Sequence, residues 1–101
     1  MWIQVLFDLP VMTKKERKAA TGFRNYLMGE GFEMAQYSVY QRFCVSREKA
    51  DVYVKKVMEH LPDTGLIHIL LITDKQYKCM LTFTGKKRGK PQTNPNQLAL
   101  F

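Results

Sequence analysis

The sequence lacks the features of a disulfide-bonded, zinc-binding or membrane-embedded protein. Its 101 residues include two cysteines, Cys44 and Cys79, which lie singly in strand-like runs and form no Cys-x-x-Cys pair. We therefore predict that both are buried, reduced thiols. The longest apolar run, "LIHILLI", is far shorter than a membrane span, and neither a charged leader nor a cleavage site is present. We expect a soluble cytoplasmic protein without a membrane partner.

Patterns of familiar enzymes are missing as well. The sequence has no Gly-rich phosphate-binding loop, no Ser/His/Asp triad and no Cys/His nucleophile arrangement. Its histidines, His60 and His68, lack the spacing of metal ligands, so we interpret both as structural. The segment "MLTFTGKK" does not match the aromatic signature of an RNA-recognition motif. None of these activities is therefore expected.

Positive charge is what the sequence has in excess. Sixteen Lys and Arg residues oppose nine Asp and Glu residues, which gives a net charge of +7. Such an excess on one small domain favours a polyanionic partner. Nucleic acid is the partner class that best fits this balance.

Local signals predict two helices embedded among strands. Thr13 begins the first helix, because "TKKE" is a capping box in which Thr13 and Glu16 satisfy each other's backbone. Ser46 caps the second helix, whose apolar residues recur at helical spacing from Ala50 to Leu61. Aromatic and β-branched runs predict the strands, which are 2–7, two strands within 32–45, 66–73 and 77–83.

This order, βαββαβ followed by extra C-terminal strands, predicts an α+β fold of the ferredoxin-like type. Both helices of such a fold lie on one face of an antiparallel sheet. We assign residues 1–85 to the ferredoxin-like domain. Residues 86–101 are predicted to be a basic, mobile linker that ends in a strand or a docking peptide.

The faces of the strands predict a homodimer. In the first strand Val5 and Phe7 share one face, and Asp8 lies on the other. If the helices cover the more apolar set, Asp8 points to the bare face of the sheet. Strand 66–73 is apolar on both faces, so the bare face needs a cover that the chain itself does not supply. A second copy is the natural cover, which places Asp8 near the dimer interface.

Asp8 ends the apolar strand of "VLFDLP" and precedes a basic helix, and two interpretations of it are open. It is either an ordinary strand-end carboxylate paired with Arg17 or a lysine, or a ligand of Mg²⁺. Mg²⁺ binds through a few carboxylates together with waters and substrate phosphates. One aspartate is too little, but a nearby two-fold axis would bring two copies together. Such a metal could polarise a phosphodiester and activate water.

Two groups of cations are candidates for nucleic-acid binding. Each group alone is compatible with a solvated face. Doubled by a two-fold axis, they form a long positive surface suited to a duplex backbone without base readout. One group is on the first helix and the other follows the last strand; they are Lys14, Lys15, Arg17, Lys18, Arg24, Lys86, Lys87, Arg88 and Lys90.

The segments "FDLPVMT", "QYSVYQR" and "LPDTGLIHILLITDKQY" resemble the small CRISPR-associated adaptation endonuclease family, the universal small partner of the CRISPR integrase. The resemblance covers nearly all of residues 1–85. It combines Asp8 at a strand end, Arg17 on the first helix, "Q-x-S-V" at 36–39 and "TDKQ" at 73–76. The "FDLP" version resembles members found in type II systems.

The resemblance implies a ferredoxin-like homodimer that sits between two integrase dimers and spans the duplex DNA to be inserted as a new spacer. It also implies a Mg²⁺-dependent nuclease acting on RNA or double-stranded DNA, with Mn²⁺ as an alternative ion. The metal is then held by the pair of Asp8 carboxylates, which are also catalytic. Asp8 permits nuclease activity without showing that the adaptor role uses it, so the enzyme assignment stays open.

Two further alternatives remain. A stand-alone RNase toxin on the same scaffold would share the strand-end acid and the basic surface, but would lack an integrase partner. The final "QLALF" resembles the short peptide with which bacterial proteins dock on the replication sliding clamp. It also suits a strand added to the partner subunit's sheet, or an integrase contact. Each interpretation makes Leu98, Leu100 and Phe101 partner-binding residues.

Overall fold

The computed structural model describes residues 1–85 and the backbone of residues 87–88. Strands and helices alternate in the order that the sequence predicts, with one additional short helix. The elements are β1 (Trp2–Asp8), α1 (Lys14–Gly29), β2 (Glu33–Gln36), β3 (Val39–Phe43), α2 (Arg47–Met58), β4 (Leu66–Ile72), α3 (Asp74–Lys78), β5 (Phe83–Thr84) and β6 (Lys87–Arg88).

The main sheet has four antiparallel strands in the order β2-β3-β1-β4. With α1 and α2 this is the ferredoxin-like α+β fold, so the predicted fold class is confirmed. Strand β1 lies in the centre, and its Leu6 is opposite Val39 of β3 and His68 of β4. The last residue of β1, Asp8, is opposite Leu66 at the start of β4.

Both predicted helix starts are present. The backbone N–H of Glu16 donates to Thr13 Oγ1 over 3.1 Å, and the N–H of Thr13 donates to the Glu16 carboxylate over 2.9 Å. Ser46 Oγ accepts from the N–H of Lys49 over 3.2 Å. These bonds satisfy backbone donors that a helix N-terminus leaves open, so they fix where α1 and α2 begin.

The hydrophobic core lies between the two long helices and one face of the sheet. Alternate residues of β1 supply its centre, as the period of a strand requires. Phe7 meets Phe23 of α1 edge-to-face at 5.3 Å between ring centroids. The other face of β1 carries Gln4, Leu6 and Asp8. The buried core residues are Ile3, Val5, Phe7, Phe23, Leu27, Phe32, Tyr40, Cys44, Ala50 and Val57.

The predicted strand over 77–83 is wrong. Thr73 and Gln76 form a second capping box, with bonds of 2.9 and 3.1 Å, and this box begins α3. Tyr77 is therefore helical, and its ring stacks on Trp2 at 4.0 Å between centroids. Only Phe83 and Thr84 of the predicted strand are extended and paired.

Three smaller expectations also change. Cys79 follows α3 and is exposed, whereas Cys44 is buried as predicted. The second helix ends at Met58, so Leu61 lies beyond it and is exposed. Part of the predicted linker is paired, because β6 forms a hairpin with β5 across Gly85, whose φ is +63°. The division of the chain at 85/86 remains a prediction.

The bare face of the sheet is only partly bare. Tyr77 of α3 covers its Trp2 end, so the expectation that the chain supplies no cover at all is wrong there. The rest stays open: Leu66 is 60% exposed and Leu70 is 47% exposed. His68 lies between them on the same face and is exposed too. Within residues 1–85 we find no helix that is both long and apolar enough to cross a membrane.

Candidate nucleic-acid and metal site

Asp8 stands exposed at the end of β1, on the open face of the sheet. Its carboxylate has no ion pair or hydrogen bond with any side chain of the described part of the chain. Arg17, the expected partner in the ordinary interpretation, instead donates to the carbonyls of Val11 and Met12, each over 3.1 Å. The guanidinium thus braces the loop between β1 and α1 and leaves Asp8 unpaired.

A shallow depression of about 260 Å³ surrounds this carboxylate. Asp8 and Phe7 contribute the end of β1, Tyr37 comes from the β2–β3 turn, and Leu66 and His68 come from β4. These residues are distant in sequence and meet because both neighbours of β1 run antiparallel to it. The depression is open to solvent and is large enough for part of a nucleotide.

The β2–β3 turn is fixed to the end of β1. Ser38 adopts a φ of +63°, and its carbonyl accepts a 3.0 Å hydrogen bond from the N–H of Phe7. A positive φ is uncommon for a residue with a side chain and marks a tight connection. The preceding residue, Tyr37, is therefore held beside Asp8 by a short, bonded turn.

Gly65 lets β4 enter close to Asp8. Its φ is +101°, and a Cβ at this position would lie 2.8 Å from the carbonyl oxygen of Asp8 and 2.6 Å from Leu9 Cδ2. A larger residue would clash with the backbone that carries the carboxylate. From the sequence, Gly65 was interpreted only as a helix terminator, and this role was missed.

One copy of the chain supplies one carboxylate. Among residues 1–85, no three His, Cys, Asp or Glu side chains come together as metal ligands would. His68 shares the depression with Asp8, but imidazole is not the oxygen ligand that Mg²⁺ prefers. The donor chemistry of Asp8 fits Mg²⁺, and a complete site needs ligands from outside this copy.

The basic residues of α1 fall into two places. Lys14, Arg17 and Lys18 line one exposed surface together with Thr21 and Asn25, and we call these three cations the α1 stripe. They recur at three- and four-residue spacing, which puts them on one side of a helix.

Arg24 lies apart from the α1 stripe and is partly buried. Its guanidinium is 5.8 Å from the centroid of the Phe7 ring and 5.6 Å from that of Tyr37. It therefore belongs to the surroundings of Asp8. Of the remaining predicted site residues, Lys87 and Arg88 have a described backbone only, and Lys86, Lys90, Leu98, Leu100 and Phe101 lie outside the described residues.

The geometry of the strand-end acid, the ferredoxin-like sheet and the basic helix can now be compared with known proteins. The family model described as "CRISPR associated protein Cas2" matches residues 1–80. The chain belongs to the Cas2 family. The predicted family resemblance is confirmed, and a CRISPR-associated protein replaces the stand-alone toxin as the family-level assignment.

Curated Cas2 relatives match over their whole or nearly whole length. A protein of Paracidovorax avenae is 52% identical over all of this chain and 94% of its own. One from Flavobacterium psychrophilum is 48% identical, over all of this chain and 88% of its own. A third, from Parvibaculum lavamentivorans, is 46% identical over the full length of both chains. All three carry the name CRISPR-associated endoribonuclease Cas2.

The fold also has a solved counterpart. The crystal structure of Streptococcus pyogenes Cas2 at pH 6.5 superimposes with a TM-score of 0.60 at 17% sequence identity. It covers 83% of this chain and all of that chain. At this identity the likeness supports the fold alone.

Proposed function

We propose that this chain works in CRISPR adaptation as a homodimer that bridges integrase dimers and binds the duplex DNA of a new spacer. The observation that carries the proposal is the open sheet face, which ends in an unpaired carboxylate at Asp8. An apolar face with Leu66 and Leu70 exposed suits another copy of the same protein. A two-fold axis at this end would place the two Asp8 residues near each other.

Duplex DNA lies along the α1 stripe in this proposal. Lys14 and Lys18 are exposed and have no ion pair in the described part of the chain. They are therefore available to phosphates, and their symmetry mates in the second copy lengthen the positive surface. Such contacts position DNA without reading its sequence, as a protein that handles arbitrary spacers requires.

The second candidate function is phosphodiester hydrolysis at the Asp8 pair, acting on RNA or double-stranded DNA. Asp8 would hold Mg²⁺, with Mn²⁺ as an alternative ion, and the bound ion would supply Lewis-acid activation of the phosphodiester and of water. The free carboxylate of Asp8 favours this activity, since an aspartate paired with Arg17 would be a weaker ligand. The endoribonuclease name of the relatives favours RNA.

Asp8→Ala separates the two functions. We expect the variant to fold and dimerise, because the side chain is exposed and makes no bond within the described chain. Cleavage of RNA and duplex DNA in Mg²⁺ should be lost, since a metal ligand is removed from both subunits. Integration with the cognate integrase should persist. Asp51→Ala, which removes an exposed carboxylate from α2, is the matched control and should leave both activities intact.

The outcomes distinguish the proposals. Loss of cleavage with intact integration supports a metal site that the adaptor role does not use. Loss of both in an intact dimer places Asp8 in the integration mechanism itself. Cleavage that survives in Asp8→Ala rules out Asp8 as the metal ligand. A wild-type protein that neither binds duplex DNA nor supports integration overturns the adaptor proposal.

The C-terminal "QLALF" supplies a further partner contact in this proposal, either with the partner subunit or the integrase, or with the replication sliding clamp. Deleting residues 97–101 distinguishes them. Dissociation of the dimer or loss of integrase binding favours the former contacts, whereas loss of clamp binding alone favours docking. These residues, and assignment to a type II system, remain predictions from the sequence.

A further inference from the structure

We infer that Tyr37 is a stacking platform for one unpaired nucleobase next to Asp8, so that this end of the molecule accepts single-stranded nucleic acid or a frayed end. The inference rests on the proposed nuclease site and adds a substrate preference to it. The sequence alone marks Tyr37 only as part of a turn between two strands.

Tyr37 is exposed despite being firmly placed. Its side chain is 84% exposed, although tyrosine normally buries much of its ring. The adjacent Ser38 carbonyl is bonded to the N–H of Phe7, so the turn that presents the ring is fixed to β1. A rigidly held, solvent-exposed ring has little conformational freedom left to lose when a planar ligand stacks on it.

Arg24 completes the platform. Its guanidinium lies 5.6 Å from the Tyr37 ring centroid, within the range of a cation–π interaction. Arg24 is held in turn by the ring of Phe7 at 5.8 Å, and it has no acidic partner within the described residues. The pair therefore offers an aromatic surface for a base and, beside it, a cation for the flanking phosphate.

The platform and the carboxylate share one depression. Tyr37, Asp8 and His68 all line the space of about 260 Å³ at the end of β1. A base stacked on Tyr37 brings its own nucleotide's phosphate toward the carboxylate that would hold the metal. A paired base cannot reach the ring, because its faces are already stacked within the duplex. Stacking is also tolerant of sequence, since every base has a π-face.

Two surfaces with different ligands follow from this arrangement. The α1 stripe consists of three cations without an aromatic ring, so it suits the phosphates of a duplex, whatever its sequence. The Tyr37 platform requires an unpaired nucleotide. Tyr37 should therefore affect single-stranded substrates at the Asp8 site and leave duplex binding unchanged.

The test compares Tyr37→Ala, Tyr37→Leu and Tyr37→Phe. Binding is measured by fluorescence anisotropy with a fluorescein-labelled oligouridylate and, separately, with a labelled duplex DNA of mixed sequence. The mass of the dimer is checked by light scattering. We expect the Ala and Leu variants to bind oligouridylate about 5- to 150-fold more weakly. Tyr37→Phe keeps the ring and should remain within about twofold of wild type, with duplex binding unchanged throughout.

Several results would overturn the inference. Tyr37→Leu binding oligouridylate as well as wild type would show that an apolar surface is enough. An equal loss on duplex DNA would make Tyr37 part of a general binding surface, and dissociation of the dimer would make it an interface residue. If wild type binds duplex DNA but not oligouridylate, the platform is refuted while the adaptor proposal stands. If it binds neither, both fail.

Discussion

At the scale of single residues, the decisive feature of the site is what Arg17 does. Its guanidinium donates to the carbonyls of Val11 and Met12 and so leaves the Asp8 carboxylate without a cation. The position of Asp8 on the bare face could be predicted, because alternation along a strand fixes which residues share a face. The choice of Arg17 between a carboxylate and two carbonyls could not, since it depends on the shape of the loop.

The neighbours of Asp8 were harder to find from sequence. Tyr37, His68 and Gly65 reach the same place from the β2–β3 turn and from β4. Only the register of the sheet brings them together, and register depends on pairing between distant segments. The one local signal was the tyrosine next to a serine at a predicted tight connection.

The buried thiol gives a prediction about pH. Burial raises the pKa of the Cys44 thiol, and the nearby Arg42 guanidinium opposes the shift only in part. The unfolded thiol therefore ionises at lower pH than the folded one. Above the ordinary thiol pKa of about 8.5, the unfolded state loses a proton that the folded state retains, so stability falls as pH rises.

Urea unfolding between neutral and alkaline pH measures this effect. The free energy of unfolding of wild type should decline as pH increases through the thiol range. Cys44→Ala should decline less steeply there, whatever its stability at neutral pH, because the shifted group is gone. Cys79→Ala removes an exposed thiol and serves as the control with an unchanged slope. Equal slopes in wild type and Cys44→Ala would contradict the account.

At the scale of elements, capping boxes were the most reliable signal. "TKKE" correctly begins α1, where Thr13 and Glu16 bond each other's backbone. "TDKQ" carries the same pattern and begins α3, yet the segment after Thr73 was predicted to be a strand. The cause is a period-two alternation of apolar residues, Tyr77, Cys79, Leu81 and Phe83. Over such a short run, alternation cannot distinguish a strand from a helical turn followed by an irregular segment.

The α1 helix carries the prediction about duplex binding. Replacing Lys14 and Lys18 by alanine should weaken DNA binding and flatten its dependence on salt. The slope of log K against log salt should become less steep by about 0.9 for each phosphate that the variant no longer neutralises. Neither lysine has an ion pair in the described chain, so folding should be unaffected.

Lys49→Ala with Lys55→Ala is the matched control for charge, because both lysines are exposed on α2. Binding of the same duplex is measured over a series of salt concentrations. The control should retain the wild-type slope. A reduced slope in the α2 variant, together with an unchanged slope in the α1 variant, would place the DNA on the other helix.

At the scale of the whole molecule, the open sheet face is the feature that the single chain leaves unfinished. Tyr77 covers only the Trp2 end, and the exposed leucines Leu66 and Leu70 extend toward Asp8. The sequence predicted this face from the apolar pattern of β4. It overestimated the face's extent, because α3 was not foreseen. A second copy on the remaining surface explains both the apolar side chains and the need for further metal ligands.

The most direct test is a cross-link between two copies at residue 8. Asp8→Cys is prepared with Cys79→Ser, which removes the exposed native thiol, and is treated with a short bismaleimide. The control carries Lys49→Cys on α2 in the same background. We predict covalent dimers from Asp8→Cys and none from Lys49→Cys, because the two-fold axis passes near residue 8. A dimeric Asp8→Cys protein that stays uncross-linked, or equal cross-linking at residue 49, would contradict the proposed shared site.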